Sequence, residues 1–146
     1  MKTTHLPGFL KLLLGVVIAT CVFTAVVNAQ PTFVGKFTLA YEAHWGQAVL
    51  PAGEYSIRMD SVAGPAKIMP VSGNWAVQTQ LPITADSEKG GTYLTITTQG
   101  NEHRVRSMNI PELKKSVIFA PLTKSEREVL AKAGQISTVP VVIARK

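Results

Sequence analysis

Apolar and polar residues alternate along much of this chain after residue 31, which is the period of half-buried β-strands. Over residues 32–41, Phe33, Gly35, Phe37 and Leu39 share one face, and Lys36 and Thr38 share the other. Residues 43–46 leave that pattern. Leu50-Pro51-Ala52-Gly53 is a turn, because Pro and Gly shape the backbone there. Residues 54–61 resume the alternation, with Tyr55, Ile57 and Met59 set against Ser56, Arg58 and Asp60. After a turn at Ala63-Gly64-Pro65, a short strand runs over 66–71, and Pro70 places it at an edge or bulge. Ser72-Gly73-Asn74 turns the chain into a strand over 75–80, where Trp75 and Val77 alternate as core residues should. Residues 81–91, rich in Pro, Asp, Ser and Gly, read as a loop.

The clearest hairpin pairs 92–99 with 102–110 around Gly100-Asn101, a dipeptide suited to a type II′ turn. A two-residue turn sets Thr98 against His103, Thr97 against Arg104, Ile96 against Val105, Thr95 against Arg106 and Leu94 against Ser107. A turn over 111–115 leads to a short apolar strand over 116–120. Thr123-Lys124-Ser125-Glu126 is a capping-box pattern that opens a helix with a narrow stripe of Val129, Leu130 and Ala133. Gly134 closes it, and a strand interrupted by Pro140 runs over 135–144. About eight strands and one short helix near the C-terminus predict a mainly β domain, a β-sandwich or small closed barrel.

The N-terminus follows a different pattern. Lys2 and Lys11 precede an almost wholly apolar run over 12–27, and Val27-Asn28-Ala29 suits cleavage before Gln30. Basic start, apolar middle and small-residue exit predict a signal peptide over 1–29 and an exported domain over 30–146, working in the periplasm or outside the cell. The run is short for a retained anchor, and Thr20 before Cys21 departs from a lipoprotein box. Cleavage leaves 117 of the 146 residues, one domain able to bury a core. It also removes the only cysteine, so the mature domain is disulfide-free and holds together by packing alone. Lys2 and Lys11 leave with it, and the net charge drops from +6 to +4. That modest excess suits an anionic surface and argues against nucleic acid.

Leu50-Pro51-Ala52-Gly53-Glu54-Tyr55-Ser56-Ile57 resembles the L-P-A-G-x-Y motif of many secreted immunoglobulin-like and transthyretin-like β-sandwiches. With Phe37-Thr38-Leu39, Trp45-Gly46 and Ser125-Glu126-Arg127-Glu128, most of the domain is similar to a group of small exported proteins common in acidobacteria. The resemblance implies export and a β fold, and it carries no catalytic residue or cofactor.

Three chemistries compete. A copper or zinc protein would use His44 and His103 with Glu42, since Glu42 and His44 point to one side of an extended strand; Met59, Met69 and Met108 could add thioethers. A secreted hydrolase would need a paired acid and base, but no Ser, His or Asp sits in an activating motif, and Glu54 and Asp60 stand ~20 Å apart along one strand. A binding or structural module would use Arg58, Arg104 and Arg106 as a basic face, provided Arg58 shares a sheet with the hairpin. Trp45, outside the alternating pattern, would be its exposed aromatic, the alternative being a packing plug across the end of the sandwich. The expectation is the third: a non-enzymatic module without cofactor, whose partner is an envelope component such as an anionic surface or polysaccharide. An outer-membrane barrel fits poorly, because the strands are short and no aromatic girdles recur.

Overall fold

The computed structural model describes residues 32–144. The proposed signal segment, Cys21 and the cleavage point therefore lie outside the described residues. Among the described residues no helix is long and apolar enough to cross a membrane.

The protein is mainly β, with one helix near its C-terminus. Its strands are β1 (Phe33–Leu39), β2 (Ala43–Trp45), β3 (Ala48–Leu50), β4 (Gly53–Met59), β5 (Ala66–Pro70) and β6 (Val77–Gln78). They continue with β7 (Ile83–Asp86), β8 (Tyr93–Gln99), β9 (Glu102–Ile110), β10 (Lys115–Ile118), β11 (Gln135–Pro140) and β12 (Val142–Ile143). The helix α1 spans Lys124–Ala133. One sheet runs β12-β1-β4-β5-β6, and the other runs β11-β8-β9-β10-β7 with the β2–β3 hairpin beside β9. A single apolar core draws on both sheets: Phe37, Tyr55, Ile57 and Ile68 from the first, Leu94, Ile96, Val105 and Met108 from the second. The fold is β-sandwich-like, and it is held without a disulfide among the described residues.

Strand faces follow the alternation closely in β1 and β4. Phe33, Gly35, Phe37 and Leu39 are buried, as are Tyr55, Ile57 and Met59, while Lys36, Thr38 and Arg58 are exposed. The two strands pair antiparallel, Phe37 against Tyr55 and Lys36 against Ser56. The Tyr55 ring stacks on Phe37, and its hydroxyl donates to the Pro51 carbonyl at 2.7 Å. This bond closes the Leu50–Gly53 turn from inside, and burial pushes the phenol pKa up. Tyr55→Phe should keep the ring packing, lose the bond and cost about 1 kcal/mol in urea unfolding.

Pro140 explains why the last strand divides. β11 pairs with β8 in one sheet, and β12 pairs with β1 in the other. Between them Val141 is buried, its N–H bonded to the Thr92 carbonyl. A proline cannot donate to a ladder, so the chain leaves one sheet there and joins the next. At the opposite edge, β6 and β7 share no ladder and are joined by residues 79–82. One side of the sandwich is therefore stitched by strands, and the other is bridged by a loop.

Three elements depart from the alternation. A strand, β7, forms inside the expected loop over 81–91, pairing with β10 as an exposed edge. The strand expected over 75–80 contracts to two residues. The hairpin keeps its predicted register from Gln99–Glu102 to Ile96–Val105, then slips by one. Thr95 faces Ser107 and Leu94 faces Met108, so Arg106 is the extra residue of a β-bulge. The bulge lets Val105 and Met108 both face the core, which an unbroken ladder forbids.

The Thr123–Glu126 capping box forms as expected. No residue of α1 is fully buried, and Val129 remains exposed, so the helix lies on the domain's outside. Gly134 is extended rather than left-handed, and glycine is needed there because a Cβ would fall 2.6 Å from the Leu130 Cα.

Candidate uncharged cleft at the loop-bridged edge

The β2–β3 hairpin turns at Gly46-Gln47, with Trp45 opposite Ala48 and Gly46 in the left-handed region at φ 64°. A glycine-first two-residue loop adopts that conformation without a Cβ clash. The hairpin drops Trp45 across one end of the core, where it meets Phe37 at 5.8 Å and the edge of Phe119 at 4.9 Å between ring centroids. Trp45 is 2% exposed, and its buried indole N–H has no hydrogen-bond partner among the described residues. Between this hairpin and the chain leaving β6 lies a cleft of about 330 Å³. Trp45, Gln47, Gln78, Thr79, Gln80 and Phe119 line it with the small residues Gly46 and Ala48. No lining residue is ionisable. Thr79 is engaged, accepting the Ala66 N–H and donating to the Gln80 carbonyl.

A second cleft of about 650 Å³ lies beside it, and Gln78 lines both. It contains Arg58, Asp60, Ser61 and Lys67. Arg58 and Lys67 face each other directly across β4 and β5, an unfavourable pairing of like charges. Asp60 offsets part of it through a contact of 3.5 Å to Arg58 Nε.

The arginines expected to form one basic face are divided. Arg58 stands on the β12-to-β6 sheet, whereas Arg104 and Arg106 belong to the other. Arg104 is half-buried and paired with Glu102, whose carboxyl pKa it lowers through their hydrogen bond. Arg106 is not on a solvated face at all. The bulge turns it along the sheet, where Nε donates to Thr97 Oγ1 and Nη2 to Glu126 Oε1, both at 2.9 Å. Its side chain is 8% exposed and ties α1 to the sheet.

Neither tryptophan takes the place that the binding reading gave it. Trp45 is the buried plug, and Trp75 is the exposed ring, set edge-on against Tyr55 at 6.1 Å. Residues 72–76 form no strand, so the alternation from Trp75 to Val77 does not describe a buried face there.

The metal set does not assemble. Among the described residues no group of three or more His, Cys, Asp or Glu side chains is placed to hold an ion. His44 sits opposite Arg104 on the ladder. His103 stacks on Tyr41 with ring centroids 3.7 Å apart and shares a 2.9 Å hydrogen bond with Thr98. Successive residues of β9 point to opposite faces, so His103 is turned away from Arg104 and from His44 beside it. Met59 and Met108 are fully buried core residues.

Gln47, Gln80, Gln78 and Phe119 are the residues that sequence reasoning missed. One signal for them exists: Ala43-His44-Trp45 and Ala48-Val49-Leu50 flank Gly46-Gln47, a Gly-x hairpin loop that puts Gln47 at its tip. Gln78 and Gln80 are two apart, as residues on one side of an extended chain are. Nothing in the sequence brings these segments together. In comparison with known proteins, the chain matches no family model, no curated protein and no solved structure.

Proposed function

We propose that this is an exported, non-enzymatic β-sandwich-like binding module of the periplasm or cell envelope. The observation that carries the reading is the uncharged cleft. It is concave, within the size range of small-ligand sites, and lined by amide and aromatic side chains rather than by any acid or base. Such a lining can hold a ligand by hydrogen bonds and stacking, but it offers no group to move a proton at neutral pH. Export rests on the N-terminal pattern over 1–29.

Native mass spectrometry of the protein purified from its own envelope tests both parts. The expected mass begins at Gln30 and carries a non-covalent small-molecule adduct. A chain still beginning at Met1 would count against export as a cleaved protein. A clean mass without adduct, in preparations where added envelope extract also leaves none, would count against a binding role.

A further inference from the structure

We propose that the ligand of the uncharged cleft is a neutral saccharide; this rests on the binding-module reading and gives it a chemical class. Gln47, Gln78 and Gln80 reach the cleft from the β2–β3 turn and from the chain leaving β6. All three are exposed, and none of their carboxamides makes a hydrogen bond within the described residues. Each carboxamide offers two N–H donors and a carbonyl acceptor. Neighbouring sugar hydroxyls each donate and accept, so they match such groups better than any ligand of one polarity. An anion would find no cation in the lining, a cation would find no carboxylate, and an apolar ligand would strand three amides.

The remaining wall suits the C–H face of a pyranose ring. Phe119 is partly exposed and backed edge-on by Trp45. Behind it the Trp45 indole N–H is one of two buried side-chain polar groups without a partner among the described residues. A buried donor left unpaired is unfavourable, and a ligand hydroxyl that gained access to it would relieve that cost. The cleft volume, about 330 Å³, takes a short stretch of a chain rather than a large ligand. The neighbouring cleft is a poorer saccharide site, because Arg58, Lys67 and Asp60 would all have to be desolvated together.

Isothermal titration calorimetry of the mature protein against cello-, manno- and galacto-oligosaccharides, with oligogalacturonate as the acidic counterpart, decides the matter. The expected result is binding of at least one neutral oligosaccharide, weakened about tenfold or more by Gln47→Ala with Gln80→Ala. Both residues are exposed, so the unfolding midpoint should be unchanged, and Arg58→Ala with Lys67→Ala should leave affinity as it was. Neutral binding that ignores the two Gln substitutions overturns the assignment to this cleft. Binding of oligogalacturonate alone, abolished by Arg58→Ala, overturns the neutral class but leaves a binding module standing. No heat with any saccharide overturns the inference, and the adduct seen or not seen by native mass spectrometry then decides the module reading separately.

Discussion

Arg106→Ala should cost about 2–4 kcal/mol of stability and loosen α1, read as a lower urea midpoint and faster amide exchange in residues 124–133. The arginine is held by Thr97 on one side and Glu126 on the other, with its side chain 8% exposed. Its removal leaves the Thr97 hydroxyl and one Glu126 oxygen without their partner beneath the helix. Glu126 is already committed: its other oxygen accepts the Thr123 N–H as half of the capping box. One carboxylate thus caps the helix and anchors it.

That double engagement gives a pH signature. The Thr123 N–H first, and Arg106 second, lower the Glu126 pKa from 4.5 to about 2. A carboxyl lowered on folding contributes stability that is fully present above its unfolded value and lost as pH falls through its folded value. The window is therefore pH 4.5 down to about 2, and the loss should reach about 1–2 kcal/mol after allowance for solvent screening at a carboxylate 27% exposed. In Arg106→Ala the acid-dependent loss should shrink without disappearing, because the backbone bond from Thr123 remains. An unchanged pH profile in that variant would show that the Arg106–Glu126 pair contributes nothing to the shift.

Gly35→Ala should destabilise the domain by about 1–3 kcal/mol although the strand geometry accepts alanine. A Cβ at position 35 would lie 2.6 Å from Val141 Cγ1 and 3.1 Å from the Phe33 ring. Val141 is the buried corner between β11 and β12, so strain there acts on the join between the two sheets. Val141→Ala removes the clashing methyl at the price of a small cavity. The double variant should therefore be less destabilised than the sum of the two single changes. Additive losses by thermal or urea unfolding would mean that the clash is relieved elsewhere.

Strand faces were legible wherever period-two alternation ran unbroken, as from Phe33 to Leu39 and from Tyr55 to Met59. The bulge was half legible. Core residues fall on odd positions up to Val105 and on even ones at Met108 and Ile110, and such a change of phase needs one extra residue. Which residue would bulge is set by packing: Arg106 takes the place because Thr97 and Glu126 satisfy its side chain, and Phe119 and Ala120 donate to its carbonyl. In the binding reading Trp45 and Trp75 were misplaced for a related reason. Local period describes a face only inside a strand, and only the sheet pairing shows where strands stop.

Local chemistry by itself determined the mainly β fold, the Gly100-Asn101 hairpin, the capping box at Thr123 and the break at Pro140, since each depends on neighbours a few residues apart. Tertiary structure decided that Arg58 and Arg106 part company, that His44 and His103 face away from each other, and that Gln47 meets Gln80 across a cleft. Those placements depend on which strands become neighbours. Sheet order is chosen by the burial of the whole apolar set at once, and no local segment of the chain contains that choice.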